Sequence, residues 1–468
     1  MLNSDTICAI ATPHGMGAIA TIRVSGNKTF SVVAGLFQRN GKRLAVEDIV
    51  SHKAYYGHLI NINGDLLDEV VTAFFRAPHS FTGEDSAEIS VHGSVYIQQK
   101  LLQVLVECGC RMAEAGEFTR RAFVNRKFDL AQAEAIADLI GSENEAAHRV
   151  AINQLKGGFS KELQVMRSKL LEMTALIELE LDFSEEDVEF ADRNQLLELL
   201  QETLSHVNRL KDSFRLGNAI KNGVPVAIVG QTNTGKSTLL NTLLGEDRAI
   251  VSDIAGTTRD TIEETLNIDG ILFRFIDTAG LRQTDETIEK IGIERSYKKI
   301  QEATLIIGML DSSIDYESML SSAKEIISKV DFGHQQTLLC LNKVDVLPDQ
   351  GEALLEEIRQ NLDNDKITLI RLSAKHKIGL NDLIDTLKNS QPLTHSDATL
   401  VTNVRHYEAL LNASECLVQV QQGLEMDIPT DLVSQDLRQA LYYLGSITGE
   451  ITTDEILGTI FSRFCIGK

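Results

Sequence analysis

The pattern of apolar and polar positions changes character along the chain. Short apolar runs rich in β-branched residues recur at 226–229, 272–276, 304–310, 337–341 and 367–372, with helical patterns between them. Such alternation predicts an α/β domain built on a largely parallel sheet. Residues 159–181 read differently: Leu163, Met166, Leu170, Met173 and Ile177 fall at the spacing of one helix face. Residues 193–216, 403–424 and 431–460 continue in that style. Two prolines mark the seams, Pro225 opening the first apolar run and Pro392 following the last. The pattern predicts one helical domain, divided in sequence by an inserted α/β domain. Upstream, strand-like runs at 18–24, 70–76 and 87–91 mix with helical ones, which predicts an α+β domain. The expected boundaries are 1–120 for the α+β domain, 121–220 plus 385–468 for the helical domain, and 221–384 for the α/β domain.

Length and composition agree with this division. At 468 residues the chain has room for about three domains of roughly 150 residues. Hydrophobic residues at 43% and charged residues at 24% are ordinary for globular proteins, so cores of normal size need no disulfide staples. Six cysteines are scattered (Cys8, Cys108, Cys110, Cys340, Cys416 and Cys465), and Cys108-Gly109-Cys110 lacks the two-residue spacer of a redox or zinc motif. That pair reads as buried thiols near a strand. The histidines show no metal-ligand spacing. The chain carries no secretory signal pattern, and no apolar stretch approaches the roughly 20 residues of a membrane span. A soluble, cytoplasmic protein without membrane contact is expected. The formal net charge of −22 argues against broad, non-specific nucleic-acid binding. The basic stretch at 111–127, with Arg111, Arg120, Arg121, Arg126 and Lys127, reads as a solvated basic face. The acidic run Asp182, Glu185, Glu186, Asp187, Glu189 reads as a solvated loop or helix start.

The α/β segment carries the chemistry. Gly230-Gln231-Thr232-Asn233-Thr234-Gly235-Lys236-Ser237 fits the phosphate-loop pattern, after an expected strand and before an apolar helical run. Its backbone N–H groups and helix N-terminus suit phosphates. Lys236 would reach the outer phosphates, Ser237 would ligate Mg2+, and Thr238 would complete the loop's contacts. Asp277-Thr278-Ala279-Gly280 ends the next expected strand, its aspartate holding magnesium through water and its glycine N–H sensing the γ-phosphate. At the end of a further strand, in Asn342-Lys343-Val344-Asp345, the carboxylate of Asp345 can accept both N–H donors of guanine while Asn342 bonds the opposite edge. Adenine would leave that carboxylate unpaired. Ser373-Ala374-Lys375 can support the base. The order and strand placement of these motifs match small Ras-like GTPases, so the segment is expected to bind and hydrolyse GTP.

Between the phosphate loop and Asp277 lies Gly256-Thr257-Thr258-Arg259-Asp260. Thr258 would complete the magnesium shell only when the γ-phosphate is present, making this segment an order–disorder switch. Leu281 follows Gly280 where Ras-like enzymes use glutamine, and leucine cannot orient a water. Glu286 or Glu289 just downstream can take that role. Sequence identifies no arginine finger. A metal can supply the missing cation, with the side-chain oxygen of Asn233 as a ligand; the alternative for Asn233 is an ordinary loop-stabilising hydrogen bond.

Further motifs lie outside the nucleotide site: Ala11-Thr12-Pro13, Arg23-Val24-Ser25-Gly26, Phe81-Thr82-Gly83-Glu84-Asp85, Gly116-Glu117-Phe118-Thr119, Leu130-Ala131-Gln132-Ala133-Glu134-Ala135 and Cys465-Ile466-Gly467-Lys468. With the switch at 256–260, these make the chain resemble the MnmE (TrmE) family of tRNA-modification GTPases over essentially its whole length. The resemblance implies an N-terminal folate-binding domain, similar to aminomethyltransferases, that drives homodimerisation. Its ligands to a 5-formyl- or methylene-tetrahydrofolate derivative would be Arg23, Glu88 and Lys127, with the tail around Lys468. Residues alone would make Arg23 and Lys127 surface charges and Glu88 a strand-face polar group. The resemblance also implies K+ beside the phosphates, held by Asn233, Ser252, Ile254 and Thr257. Glu289 would orient water, joining Lys236 and Thr258 in catalysis once two GTPase domains meet across the nucleotides. The implied partner is the FAD-containing MnmG (GidA), with tRNA as substrate. The implied product carries a carboxymethylaminomethyl-type group on C5 of the wobble uridine, its carbon drawn from a methylene-folate. Cys465 resembles the family's terminal cysteine, a candidate nucleophile. Gln231, Thr232, Thr234 and Ser252 depart from the residues common in relatives, at positions whose side chains are not required ligands.

Two other readings remain. A regulatory GTPase in ribosome assembly predicts no folate site and a basic RNA-binding appendage. A folate-dependent transferase with an accessory GTPase predicts product formation without MnmG.

Overall fold

The computed structural model describes residues 5–468 except 183–192, 246–263, 269–270, 277–300, 302, 334, 347–350, 363–365, 391–398, 427, 463, 465 and 468. Its residues gather into two compact units. One comprises Met1–Ala137, Asn153–Val207 and Ala409–Lys468, the other Asp138–Ile152 and Asn208–Glu408. The second unit thus includes helical stretches that hydropathy patterning groups with the flanking helices.

The first unit holds an eight-stranded sheet in the order β4-β3-β5-β6-β7-β2-β1-β8. Its strands are β1 (Ile7–Ile10), β2 (Ile19–Ser25), β3 (Phe37–Arg39), β4 (Lys42–Arg43), β5 (Lys53–Ile60), β6 (Leu66–Phe75), β7 (Ser86–His92) and β8 (Arg111–Met112). Pairing is antiparallel except between β1 and β8. Alternation along β2 and β7 sends Ile22, Val24, Ala87, Ile89 and Val91 into a core shared with helices Thr29–Leu36 and Val95–Glu107. Arg23 and Glu88 therefore point to the opposite face. On β1, Cys8 joins that main core, whereas Ile7 and Ala9 pack with Ala113 and Phe118 in a smaller one. Cys8 and Cys110 are buried and Cys108 half-buried, next to the β1–β8 pair.

Helix Gly158–Asp182 buries Leu163, Met166, Leu170, Met173 and Ile177, the stripe its sequence spacing predicts, and packs against helix Thr430–Thr448. The helical pattern at 431–460 is interrupted. Thr430–Thr448 ends at Gly449, and Asp454–Phe461 starts anew, with the Thr453 hydroxyl accepting from Ile456 N at 3.4 Å. Periodicity does not register such a break, because both helices keep their apolar faces.

The basic stretch at 111–127 is a solvated face only in part: Arg126 and Lys127 are exposed, but Arg121 is not. Helix Glu117–Val124 turns Arg121 inward, 1% exposed. Its guanidinium donates to Asp5 Oδ1 (2.8 Å), Glu117 Oε1 (3.0 Å) and Glu84 Oε2 (3.1 Å), while Arg111 bridges Asp5 and Glu117. Glu117 lies within the stretch, but Asp5 and Glu84 are far away in sequence, so a charge count along the stretch cannot find them. The acidic run from Glu185 onward lies outside the described residues.

The second unit holds a six-stranded sheet in the order β10-β11-β9-β12-β13-β14. Its strands are β9 (Val224–Val229), β10 (Glu264–Ile268), β11 (Ile271–Phe275), β12 (Leu305–Asp311), β13 (Gln336–Asn342) and β14 (Ile367–Arg371). Only the β10–β11 pair is antiparallel. Both faces are covered. Val226 and Ile228 pack with helices Lys236–Leu244 and Leu380–Asn389, whereas Ala227 and Val229 pack on the side of Tyr316–Ile327 and Gly351–Leu362. This is why the parallel strands read as unbroken apolar runs. The chain leaves β9 for β10 and β11 on one side and returns to β12 on the other. A topological switch point therefore lies at the carboxyl ends of β9 and β12, where open α/β sheets bind ligands. Among the described residues no helix is long and apolar enough to cross a membrane.

Candidate guanine-nucleotide site and a second polar cluster

The phosphate loop follows β9 directly and feeds helix Lys236–Leu244. Three residues in it have positive φ, Gly230 at +152°, Asn233 at +63° and Gly235 at +95°. Asparagine tolerates that region. At Gly235 a Cβ would lie 2.3 Å from Asn342 Nδ2, so only glycine fits beneath the neighbouring motif. Thr234 is buried, its hydroxyl donating to Gln231 O at 2.9 Å. The Lys236 ammonium donates to the carbonyls of Gly230 (2.9 Å) and Gln231 (2.7 Å), which places it inside the loop's curve. Asn233, Ser237 and Thr238 are exposed at the loop's surface.

The base-reading motifs meet this loop through Asn342, 3% exposed at the end of β13. Its Nδ2 donates to Thr234 O at 2.7 Å, and its Oδ1 accepts from Ala374 N at 3.0 Å. One amide thus ties the phosphate loop to both base motifs. Sequence reasoning assigned Asn342 an edge of the base; the structure adds this role as a strut. Thr242 strengthens the tie, donating to Ala374 O at 2.9 Å. Val344 is buried beneath the turn, and Asp345 and Lys375 are exposed above it. Ser373 Oγ donates to Asp345 Oδ1 at 2.5 Å, and His376 Nε2 stands 3.6 Å from Oδ2. The Ser373 hydroxyl holds the Asp345 carboxyl below its ordinary value. The motifs do not flag Asp311, the last residue of β12. It is buried and accepts from Lys343 Nζ at 2.5 Å. Its sequence signal is faint, an aspartate before Ser312-Ser313 at a strand end.

Part of the expected site lies outside the described residues. This holds for Ser252, Asp253, Ile254, Ala255, Gly256, Thr257 and Thr258, for Asp277, Thr278, Ala279 and Gly280, and for Leu281, Glu286 and Glu289. Asp277 would directly follow Ile276, just beyond β11.

In the first unit, Arg23 and Glu88 are register partners across β2 and β7. Arg23 Nε and Nη2 donate to Glu88 Oε1 at 3.0 and 2.8 Å, with side chains 19% and 34% exposed. Arg23 is therefore not the free surface charge that the residues alone suggest, whereas Glu88 is the strand-face polar group they indicate. The guanidinium also sits 5.0 Å from the Phe81 ring centroid, and Nη1 donates to Gly467 O at 3.3 Å. Residues 466 and 467 are thereby brought to Arg23, a bridge between Ala115 and Ile466 holding the same segment. Gly467 is left-handed at φ +95°, and a Cβ there would lie 2.2 Å from Ile10 O. Lys127 Nζ donates to Pro78 O at 3.0 Å, while Lys127 carbons line Gly83 of the 81–85 motif. Below this row, Ser25 Oγ donates to Glu84 Oε2 (2.8 Å) and lies 2.7 Å from Thr82 Oγ1. Glu84 in turn meets buried Arg121. The cluster offers a half-buried cation, a carboxylate and an aromatic face, a set suited to a flat, polar, anionic ligand. Lys468 and Cys465 lie outside the described residues.

Known proteins resemble the chain throughout. A family model described as the MnmE helical domain matches residues 130–465, and one described as the GTP-binding protein TrmE N-terminus matches residues 6–127. A protein of Bacteroides thetaiotaomicron named tRNA modification GTPase MnmE is 50% identical over 471 residues, covering 100% of both chains. One of the same name from Flavobacterium johnsoniae is 50% identical over 479 residues, again covering 100% of both. Among solved structures, the G domain of the T. maritima FeoB iron transporter overlaps 36% of this chain and 97% of its own at 25% identity, with a TM-score of 0.25. The matches span the chain from end to end, and the chain belongs to the MnmE (TrmE) family of tRNA modification GTPases.

Proposed function

We propose that the chain hydrolyses GTP at the carboxyl ends of β9 and β13, and that this drives modification of C5 of the wobble uridine in certain tRNAs. The observation that carries the reading is Asp345. Its carboxylate accepts from Ser373 and belongs to the motif that Asn342 ties to the phosphate loop. A guanine held there would place its phosphates at Gly235, Lys236 and Ser237, with Mg2+ on Ser237 and Thr258. Lys236 leaves its two loop carbonyls for phosphate oxygens, a stronger charge-assisted partner. The reading extends to K+ at Asn233, Ser252, Ile254 and Thr257, and to Glu289 orienting the attacking water.

The layout we propose has three domains: folate-binding and dimerisation at 1–120, helical at 121–220 and 385–468, and GTPase at 221–384, inserted into the helical one. In the first, Arg23, Glu88, Lys127 and Lys468 hold a tetrahydrofolate derivative that supplies a one-carbon unit. A homodimer working with FAD-containing MnmG in the cytoplasm completes the reaction and leaves a carboxymethylaminomethyl-type group. The Arg23–Glu88 pair and the nearby residues 466–467 support the folate part. Mass spectrometry of wobble uridines from cells lacking this chain tests the whole reading. The expected result is loss of the C5 aminomethyl-type modification, restored by the intact gene. An unchanged uridine profile defeats it and favours a ribosome-assembly role.

A further inference from the structure

We infer that Asp311 is a positioning residue for guanine-nucleotide binding, acting through the Lys343 side chain. The inference rests on the guanine-site reading above. Asp311 closes β12, 8% exposed, and its two carboxylate oxygens are spent on separate tasks. Oδ1 accepts from Ser313 N at 2.9 Å and from Ser313 Oγ, which locks the carboxylate's orientation. Oδ2 accepts from Lys343 Nζ at 2.5 Å. Between the strands, Ser312 N donates to Asn342 O at 3.0 Å, so the ends of β12 and β13 cannot drift apart. Burial pushes the Asp311 carboxyl up, and the bonds from Lys343 and Ser313 more than reverse this, so it remains an anion.

Lys343 stands between the strut Asn342 and the base-reading Asp345, and its backbone is left-handed at φ +66°. Its side chain runs to the end of the neighbouring strand, where Nζ meets Asp311 Oδ2. Asp345 can hold a purine only by its edge, so the flat face needs a wall. The four-carbon stem of Lys343, anchored at its far end by Asp311, is an apolar strip placed to supply one. A free lysine would have to give up rotamer freedom when nucleotide binds. Asp311 removes that cost in advance, which is preorganisation rather than a new contact with the ligand. The wall is indifferent to the γ-phosphate and to the exocyclic groups of the base. Its loss should weaken GDP and GTP alike, without changing which base is preferred.

The test uses the full-length chain and compares Asp311→Asn, Lys343→Met and the double variant. GDP affinity, KM and kcat for GTP, and thermal stability without nucleotide are measured. Asp311→Asn should raise the GDP dissociation constant and the GTP KM by about five- to tenfold, move kcat less than twofold, and keep the guanine-over-xanthine preference. Lys343→Met keeps the stem but has no ammonium to hold. In that background, adding Asp311→Asn should cost nothing further, because the two groups act as one unit. Affinities within twofold of the parent, or additive losses in the double variant, overturn the proposal. A drop in nucleotide-free stability with unchanged affinity also overturns it and makes Asp311 a strand-end brace. If the parent itself shows no preference for GDP over XDP or ADP, the guanine assignment fails instead.

Discussion

On the proposed guanine reading, the acceptor character of the Asp345 carboxylate decides which base is admitted. Asp345→Asn exchanges an acceptor for a donor, which matches the C2 carbonyl of xanthine instead of the C2 amine of guanine. GTP affinity should fall by at least about 100-fold while xanthosine triphosphate gains; competition binding with both nucleotides checks this, and unchanged GTP affinity rules out the base contact. Gly467 raises a steric question. Alanine there would force a Cβ to 2.2 Å from Ile10 O in a left-handed backbone. Gly467→Ala should displace the 466–467 segment from Arg23 and weaken 5-formyltetrahydrofolate by about tenfold, the equivalent of roughly 1.4 kcal/mol. Titration calorimetry reads this directly, and equal affinity would detach the segment from the ligand site. The nucleotide motifs were legible in sequence because each is contiguous and its spacing is its chemistry. Asp311 and Arg121 were not, because their partners lie 32 and up to 116 positions away.

Among the elements, strand and helix runs followed from periodicity, since burial of one or both faces writes itself into the pattern. Sheet order did not, and neither did the break after Thr448. The Arg121 cluster shows what a linear reading misses: helix Glu117–Val124 is fastened by charges buried against Asp5 and Glu84. Removing one member leaves the others uncompensated, so Arg121→Ala should cost about 3–5 kcal/mol in urea unfolding. Burial raises the Asp5 and Glu117 carboxyls, and their bonds to Arg111 and Arg121 more than offset this, leaving both below their ordinary values. A depressed folded pKa contributes stability above the unfolded value and loses it as pH falls through the folded one. Unfolding free energy should therefore decline below about pH 4. In Arg121→Ala that decline should be shallower; an equal slope in both proteins would place the acid sensitivity elsewhere.

For the whole molecule, the hydrolytic centre as proposed lacks a cation of its own. Leu281 replaces the usual glutamine, and sequence supplies no arginine finger. With K+ at Asn233 filling that role, GTP turnover should be at least about tenfold faster in potassium than in sodium buffer, a small part of what an arginine finger provides. The stimulation should grow with protein concentration if two GTPase domains must meet. Equal rates in the two salts would remove potassium from the mechanism. The family relation covers 100% of the chain and so binds the GTPase and the N-terminal cluster into one inherited unit.

Arg23 and Gly467 touch although 444 positions separate them. Synthesis of that interval takes on the order of tens of seconds at about 5–20 residues per second. The sheet from β1 to β8 can assemble early, yet this wall of its polar cluster cannot exist until residue 467 has left the ribosome. A nascent or prematurely terminated chain that has folded the sheet therefore lacks one side of this cluster. On the proposed reading, ligand capture at Arg23 is then a property of chains translated past that point, which keeps unfinished copies from sequestering the ligand.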